Sequence, residues 1–393
     1  MLHSMSDQNY STQSIWAGEE FSLGEHATQV PIFQSVAYGY PDVDTWLDVA
    51  QGRAPGHIYS RNTNPTVHAF EEKIRILENA AAATSFASGM AAISNLLFAV
   101  LKPGDRVVSV KDTYGGTSRL FMDFLPRMGI ACTLCDTEDY AAIDAEIAKG
   151  CALVYLETPT NPTLKVLDIA RFAAAGKAVG AIIAVDNTVA TPINQSPLEL
   201  GADVVVHSAS KYLGGHADVL GGALCGKTEI VHQVFAFREI TGAALDPHAA
   251  YLLLRGMKTL ALRIRQQNES ALTIARFLSM HPQVERVFYP GLDSQVHHDV
   301  AHRQMRGYGG MLSFALKGGW DAAKVCLAKL KYAHRAANLG AVETIAGVPA
   351  TTSHVEVSPA GRAQLGIPEG LIRYSVGIED TGDLIEDLSG SIN

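Results

Sequence analysis

The stretch ADVVVHSASKYLGG (residues 202–215) carries the strongest fold signal in this sequence. It begins as an apolar, β-branched run typical of a buried strand, and two hydroxyl residues, Ser208 and Ser210, come just before Lys211. A lysine at the end of a buried strand is partly desolvated, so its amine loses a proton more easily and can attack an aldehyde. The neighbouring hydroxyls suit a phosphate group. The plainer alternative is an exposed lysine that merely follows a strand.

Similar apolar runs precede this stretch, and helical patterns lie between most of them. This alternation indicates βαβ units and a mainly parallel sheet, which is an α/β fold. The runs expected to be strands are TSFAS (84–88), DRVVSV (105–110), ACTLCD (131–136), ALVYLE (152–157) and AIIAVDN (181–187). The expected helices are VHAFEEKIRILENA (67–80), GMAAISNLLFAVL (89–101), TSRLFMDFLPRMG (117–129) and AAIDAEIAK (141–149).

The pattern changes near each end of the chain, which predicts three parts. Residues 1–60 are rich in turn formers and read as an N-terminal arm, and residues 61–250 form the large domain. Residues 251–393 read as a smaller C-terminal α+β domain. There, residues 251–278 predict one long helix, and VERVFY (284–289) and GGMLSFAL (309–316) predict strands.

Composition narrows the possible functions. The 393 residues carry a formal net charge of -9, which argues against a nucleic-acid partner. Neither a signal peptide nor an apolar run long enough to cross a bilayer is recognisable, so no membrane association is expected. The five cysteines are scattered and odd in number, as expected for a reducing cytoplasm.

Polar residues at the carboxyl ends of parallel strands are the first candidates for a binding site. Asp186 closes the apolar run AIIAV, where a buried carboxylate needs a cation. The ring nitrogen of pyridoxal 5′-phosphate (PLP) supplies one, whereas a helix cap or a metal ligand is the alternative. Ser88, Gly89 and Met90 form a turn between a strand and a helix. The backbone amides at the start of a helix and the positive end of its dipole favour an anion, so this turn is a candidate anion site. There is no Walker P-loop, and no GxGxxG motif follows a strand.

The sequence allows two interpretations for each of three further residues. Tyr114, beside two glycines, could stack on a flat cofactor or simply pack before a helix. Asn161, after Glu157, could bond a cofactor or a substrate, although most Asn-Pro pairs are turns. Arg373 lies within an apolar run, where a guanidinium usually pairs with a carboxylate, either internal or from a ligand.

No metal site is expected from the sequence. Cys132 and Cys135 form a CxxC within a strand-like run and lack a second pair. His297, His298 and His302 lie on a polar helical stretch without an HExxH motif, which favours a solvated helix face.

Taken together, the motifs resemble the Cys/Met-metabolism family of PLP enzymes, from about Gln29 to Asp387. The motifs appear in family order: YSRNTNPT, SGMAAI, DTYGGT, ETPTNPT, VDNT, HSASKYLGGHADVLGG and LIRYSVGIED. The resemblance implies the PLP-dependent transferase fold type I, with a mainly parallel sheet in the large domain. It also implies γ-replacement or γ-elimination on a γ-substituted L-amino acid, in the manner of cystathionine γ-synthase and γ-lyase.

The resemblance also assigns roles. Lys211 would carry PLP as a Schiff base, Asp186 would pair with the ring nitrogen, and Tyr114 would stack on the ring and protonate the leaving group. The phosphate would lie among Ser88, Gly89, Met90, Ser208 and Ser210. Tyr59 and Arg61 would reach the phosphate of a neighbouring subunit, within a homotetramer built as a dimer of dimers. The substrate would meet Arg373, Asn161, Glu343 and Asn338.

Some positions depart from the usual family pattern. Ser210 stands where many relatives have threonine, and Gly116 stands where methionine γ-lyases have a cysteine, which counts against that activity. Asn338 stands where lyases and γ-synthases commonly have serine. Sulfhydrylases often have asparagine there, so an O-succinyl- or O-acetylhomoserine sulfhydrylase is one alternative. Two others are an aminotransferase of the same broad fold and, from another class, a PLP-binding protein without catalysis.

Overall fold

The computed structural model describes residues 8–19, 27–355 and 357–392. A seven-stranded sheet runs in the order β1-β7-β6-β5-β4-β2-β3. Its strands are β1 (Ala82–Phe86), β2 (Arg106–Val110), β3 (Ala131–Cys135), β4 (Leu153–Glu157), β5 (Ile182–Asp186), β6 (Val204–Ser208) and β7 (Gly222–Gly226). All neighbouring strands are parallel except at β7, which is antiparallel to both β1 and β6. The mainly parallel sheet predicted from the apolar runs is confirmed.

Helices cover both faces of this sheet, and β4 shows why its strands are apolar throughout. Leu153 and Tyr155 point into one core, whereas Val154 and Leu156 point into the other. The first core contains α4 (Gly89–Val100) and α9 (Thr228–Thr241), and the second contains α6 (Tyr140–Ala148) and α7 (Ile169–Ala178).

A third core joins α3 (Pro65–Leu77) to α10 (Pro247–Met257). Asn64 caps α3 by accepting from the amides of Thr66 and Val67, and Pro65 occupies the first turn. The predicted helix at 67–80 is therefore present, although it begins earlier and ends earlier. The proposed domain boundary at residue 250 lies inside α10.

The second sheet has five strands in the order β10-β11-β12-β9-β8, and all its pairings are antiparallel except β10 with β11. Its strands are β8 (Val284–Phe288), β9 (Met311–Leu316), β10 (His334–Arg335), β11 (Ile345–Gly347) and β12 (Leu371–Ser375). The other helices are α1 (Tyr10–Trp16), α2 (Val43–Ala50), α5 (Gly115–Arg119), α8 (Thr191–Asn194), α11 (Leu260–Met280), α12 (His298–Gln304), α13 (Gly319–Lys329), α14 (Pro359–Gln364) and α15 (Thr381–Ile392).

Two predicted helices differ from the observed ones. The segment 251–278 is not one helix, because a turn at Lys258 and Thr259 separates α10 from α11. The segment 117–129 is also interrupted: α5 continues as a π-helical turn, Leu120–Phe124, and then as a short 3-10 turn, Pro126–Met128. Within the described ranges, no helix is both long enough and apolar enough to cross a membrane.

Candidate active site

A cavity of about 270 Å³ lies at the carboxyl ends of the large sheet's strands, and residues of the second sheet and its loops close its other side. This is the edge at which open parallel sheets bind ligands. The lining residues are Ser88, Gly89, Met90, Ile93, Tyr114, Glu157, Asn161, Asp186, Thr188, Val189, Ser208, Ser210, Lys211, Leu220, Ala337, Asn338, Leu339, Thr352, Ser353 and Arg373.

Lys211 projects into this cavity from the loop after β6. Its Nζ donates a 2.8 Å hydrogen bond to Oδ1 of Asn338, which belongs to the loop between β10 and β11. Burial lowers the pKa of Lys211 to about 8, and the nearby charge of Arg373 acts in the same direction. A neutral amine is therefore accessible near neutral pH, as a nucleophile or a base requires.

Asp186 ends β5 and is almost fully buried at the cavity wall. Its Oδ2 accepts a 3.3 Å hydrogen bond from the hydroxyl of Tyr155, and its Oδ1 accepts a 3.0 Å bond from the amide of Thr188. Burial raises the pKa of Asp186, and the hydrogen bonds from Thr188 oppose that effect. A cation placed against this carboxylate would favour its charged form further.

The turn between β1 and α4 forms an anion cradle. Ser88 caps α4 with its hydroxyl, which accepts a 3.1 Å bond from the amide of Ala91. The amides of Gly89 and Met90 belong to the first turn, where the helix offers them no carbonyl partner. Gly89 must lack a side chain, because an added Cβ would lie 2.6 Å from Cβ of Ser208.

The hydroxyl groups at the end of β6 complete this cradle. Ser208 is the last residue of the strand and lines the cavity together with Ser210. The hydroxyl of Ser210 already accepts a 2.9 Å bond from the amide of Gly221, which fixes its position. Two amides, a helix dipole and two hydroxyls fit a phosphate group.

Arg373, in the centre of β12, is a buried cation that faces the cavity. Its Nη1 donates to Oδ1 of Asn161 at 3.2 Å, and its Nη2 donates to the carbonyl of Asn338 at 2.9 Å. Burial lowers the pKa of Arg373 to about 10. No carboxylate pairs with this guanidinium among the described residues, so it can receive the carboxylate of a ligand.

Tyr114 stands at the mouth of the cavity and is 44% exposed. Its backbone amide donates a 2.7 Å hydrogen bond to Oε2 of Glu157. Gly116 lies beside it, and a Cβ at that position would come within 2.8 Å of the Met90 sulfur. The absence of a side chain at 116 therefore leaves room between Tyr114 and Met90.

Three predicted site residues lie outside the cavity lining in this single chain. Tyr59 and Arg61 are exposed, and the Arg61 guanidinium lies 5.6 Å from the centre of the Tyr59 ring. Arg61 also donates a 2.9 Å bond to the carbonyl of Glu239. Glu343 is exposed and does not contribute to the cavity wall. The remaining predicted residues come together around Lys211.

Several wall residues escaped sequence reasoning. Thr188 follows Asp186 by two residues, and Thr352 and Ser353 belong to the segment between β11 and β12. Tyr155, in β4, donates a hydrogen bond to Asp186. Because side chains alternate between the two faces of a strand, the face to which Tyr155 points could have been predicted. In the described part of the chain, no group of three or more His, Cys, Asp or Glu residues could hold a metal ion.

These features fit PLP group by group, which defines the class of protein. The cradle at α4 suits its phosphate, Asp186 suits its ring nitrogen, and the amine of Lys211 suits its aldehyde. The cradle at Gly89 agrees with this fit, because an added Cβ there would meet Ser208, one of the residues that would hold the phosphate.

Known proteins agree with this assignment. The sequence model of the family described as Cys/Met metabolism PLP-dependent enzyme matches residues 11–393. An L-methionine gamma-lyase of Fusobacterium nucleatum subsp. polymorphum is 41% identical over 362 residues, covering 91% of this chain and 92% of the relative. A cystathionine gamma-synthase of Mycobacterium tuberculosis is 42% identical over 383 residues, covering 97% and 96%.

A solved structure is similar over the whole fold. It is a cystathionine gamma synthase of Xanthomonas oryzae pv. oryzae in complex with aminoacrylate and cysteine, with a TM-score of 0.93 and 36% identity over 98% of both chains. The chain belongs to the Cys/Met metabolism family of PLP-dependent enzymes, with the type I fold. It is a PLP-dependent enzyme of sulfur amino-acid metabolism, and it acts at the γ-carbon of its amino-acid substrate.

Proposed function

We propose that the chain cleaves the bond between Cγ and a sulfur or oxygen leaving group of an L-amino acid, by γ-replacement or γ-elimination. The observation that supports this most strongly is the convergence of Lys211 and Arg373 on one cavity, with Asp186 on its wall. The guanidinium of Arg373 can bind the α-carboxylate of an amino acid, and Tyr114 lines the same cavity.

Arg373 binds the substrate α-carboxylate, and Asn161 orients its guanidinium by accepting from Nη1. When bound, PLP withdraws electrons from the substrate α-carbon, and Asp186 keeps its ring nitrogen protonated. The Nζ of Lys211 would take the α-proton and move protons along the substrate. Asn338 holds that amine between transfers through Oδ1.

Tyr114 protonates the leaving group on Cγ with its phenol. Its position at the mouth of the cavity keeps it in contact with solvent, so the proton can be replaced. A thiol then adds to the remaining substrate, which is replacement. In elimination, the remaining substrate is instead released and is hydrolysed by water to a 2-oxo acid and ammonia.

The active form is proposed to be a cytoplasmic homotetramer made from two dimers. Tyr59 and Arg61 are exposed next to each other and away from their own cavity, as residues that serve a neighbour's phosphate would be. The N-terminal arm, which ends beside Arg61, also exposes Val43, Trp46 and Leu47 on α2, an apolar surface that a second copy of the chain would cover.

A steady-state assay tests the proposed reaction. Purified protein is given O-acetyl- or O-succinylhomoserine, with and without cysteine or sulfide, and both 2-oxobutyrate and thioether products are recorded. We expect turnover at Cγ, and Lys211→Ala should lower kcat by about 10² to 10⁴-fold. Lys227→Ala, which removes a half-exposed lysine at the opposite edge of the sheet, is the matched control.

The products also separate the candidate reactions. Thioether formation that requires a thiol indicates replacement, whereas 2-oxobutyrate formed without a thiol indicates elimination. Bound PLP without turnover of any γ-substituted amino acid would contradict the proposal and favour a non-catalytic role.

A further inference from the structure

Glu157 is a buried carboxyl group that contacts two of the segments on which the proposed reaction depends. It ends β4, is 5% exposed and lines the cavity. Its Oε2 accepts the 2.7 Å hydrogen bond from the backbone amide of Tyr114, and the backbone amide of Asn161 interacts with the same carboxyl group. One side chain therefore joins the turn that carries Tyr114 to the loop that carries Asn161.

The neighbour of Glu157 on the next strand is Asp186, its direct register partner. Two buried carboxylates at adjacent strand ends disfavour each other's charge, and burial raises the pKa of Glu157 well above its usual value. A neutral carboxyl group still accepts hydrogen bonds from N–H groups through its oxygens. The contacts of Glu157 with the two loops therefore do not require a negative charge.

We infer that Glu157 is a positioning residue that holds the main chain at Tyr114 and Asn161 by accepting their amide hydrogens, and so sets where the phenol and the carboxamide point. Because Asn161 in turn accepts from Arg373, a shift of its loop would loosen the carboxylate-binding guanidinium as well. The inference rests on the roles proposed above for Tyr114 and Arg373.

Two substitutions separate hydrogen-bond acceptance from charge. Glu157→Gln keeps an oxygen acceptor in nearly the same shape, and we expect kcat and KM within about threefold of the wild type. Glu157→Leu fills similar space without an acceptor, and we expect kcat to fall by about 10 to 100-fold, the effect of a misplaced catalytic group, with a rise in KM. Equal losses in both variants would overturn the inference.

A matched control comes from the opposite edge of the same sheet. Asp203 is also a buried carboxylate that accepts a backbone amide, from Ile183 at 2.8 Å, but it does not line the cavity. Asp203→Leu should lower the thermal midpoint of unfolding and leave kcat and KM near the wild-type values. If it lowers kcat as much as Glu157→Leu does, the effect of Glu157 is general stability, and positioning is refuted.

A double substitution tests whether Glu157 acts through Tyr114. In a Tyr114→Phe background the phenol is already absent, so adding Glu157→Leu should cost less in kcat than it does in the wild type. Full additivity of the two losses would mean that Glu157 acts independently of the phenol, which contradicts the inference.

A measurement without turnover keeps this inference separate from the proposed reaction. The visible circular dichroism of bound PLP reports how Tyr114 and the cavity wall surround its ring, and titration of the apoprotein gives its dissociation constant. Glu157→Leu should change the dichroism, whereas Glu157→Gln and Asp203→Leu should not. If the wild type does not turn over substrate, the proposed function fails. The positioning role of Glu157 is then judged separately by the spectrum, and an unchanged spectrum in Glu157→Leu would refute it.

Discussion

Lys211 and Arg373 both line one cavity, and the charge of Arg373 makes the charged form of Lys211 less favourable. For Lys211, burial is the larger cause of its lowered pKa of about 8, and Arg373 adds to it. Only the neutral amine attacks the aldehyde of PLP. The rate at which apoprotein captures PLP should therefore rise as the pH increases through about 8 and level off above it.

The measurement is a stopped-flow record of visible absorbance from about pH 6.5 to about pH 9.5. Arg373→Met removes the neighbouring charge, which raises the pKa of Lys211 towards its ordinary value and moves the profile to higher pH. A wild-type rate that does not change over this range would contradict the lowered pKa.

Arg373 also permits a prediction on substrate binding. Its guanidinium can bond a carboxylate with two N–H groups, and a charged hydrogen bond of this kind contributes about 1.5–3 kcal/mol, or roughly ten- to a hundredfold in binding. Arg373→Ala should therefore mainly raise KM for the amino acid. Arg373→Lys should restore only part of the loss, because an ammonium lacks the planar fork.

Steady-state kinetics with a fixed γ-substituted substrate provide the test. The ratio of kcat to KM should fall chiefly through KM. A KM that stays at the wild-type value in Arg373→Ala would show that the α-carboxylate binds elsewhere.

At the scale of elements, the start of α4 decides how the cofactor phosphate is held. Gly89→Ala would place a Cβ 2.6 Å from Cβ of Ser208, where the turn and the end of β6 meet. We expect a loss of PLP affinity with little change in helix content, since the substitution alters the cradle and not the helix interior. Gly39→Ala, at a position with open space, is the control.

Fluorescence or absorbance titration of the apoprotein gives the dissociation constant for PLP, and far-ultraviolet circular dichroism reports the helices. An unchanged dissociation constant in Gly89→Ala would show that the phosphate does not lie against this turn.

The elements that the sequence predicts best are those whose signal is local. The parallel strands appear as β-branched runs, and β7 was not predicted because GALCG, with glycines at both ends, has too few such residues. At the break between α10 and α11, Arg263 donates 2.9 Å and 2.8 Å bonds to the carbonyls of Gly256 and Tyr212, and Tyr212 is distant in sequence. No periodicity of apolar residues could reveal that contact.

The same distinction applies to the cavity. Residues at strand ends, such as Asp186 and Ser208, were predictable because the fold brings those ends together. The bond between Lys211 and Asn338 and the contact of Glu157 with Tyr114 join parts of the chain that only the folded backbone brings near. No sequence motif indicates that these pairs of residues lie within hydrogen-bonding distance of each other.

At the scale of the whole molecule, one chain does not account for every residue that the family resemblance assigns to the site. Tyr59 and Arg61 are exposed and lie outside the cavity of their own chain. The apolar side chains of α2, on the same N-terminal segment, are exposed too, Val43 to 74%. Large exposed apolar groups on one segment are typical of a surface that another subunit covers.

Shared sites predict complementation between two inactive variants. Lys211→Ala chains lack the reactive amine, and Arg61→Ala chains lack the guanidinium proposed to reach the partner's phosphate. In a mixed dimer, one site combines Lys211 of one chain with Arg61 of the other and is intact. Random exchange of equal amounts should therefore restore about a quarter of the wild-type activity per chain, because half of the dimers are mixed and each has one intact site.

The experiment mixes the two purified variants under conditions that allow subunit exchange and then follows both activity and oligomeric state by light scattering. Mixing Lys211→Ala with Lys211→Ala,Arg61→Ala chains is the control, since no combination of these subunits has an intact site. If Arg61 serves its own chain, the mixture cannot exceed the summed activities of its components, even though mixed dimers form. Recovery above that sum requires that Arg61 acts across the subunit boundary.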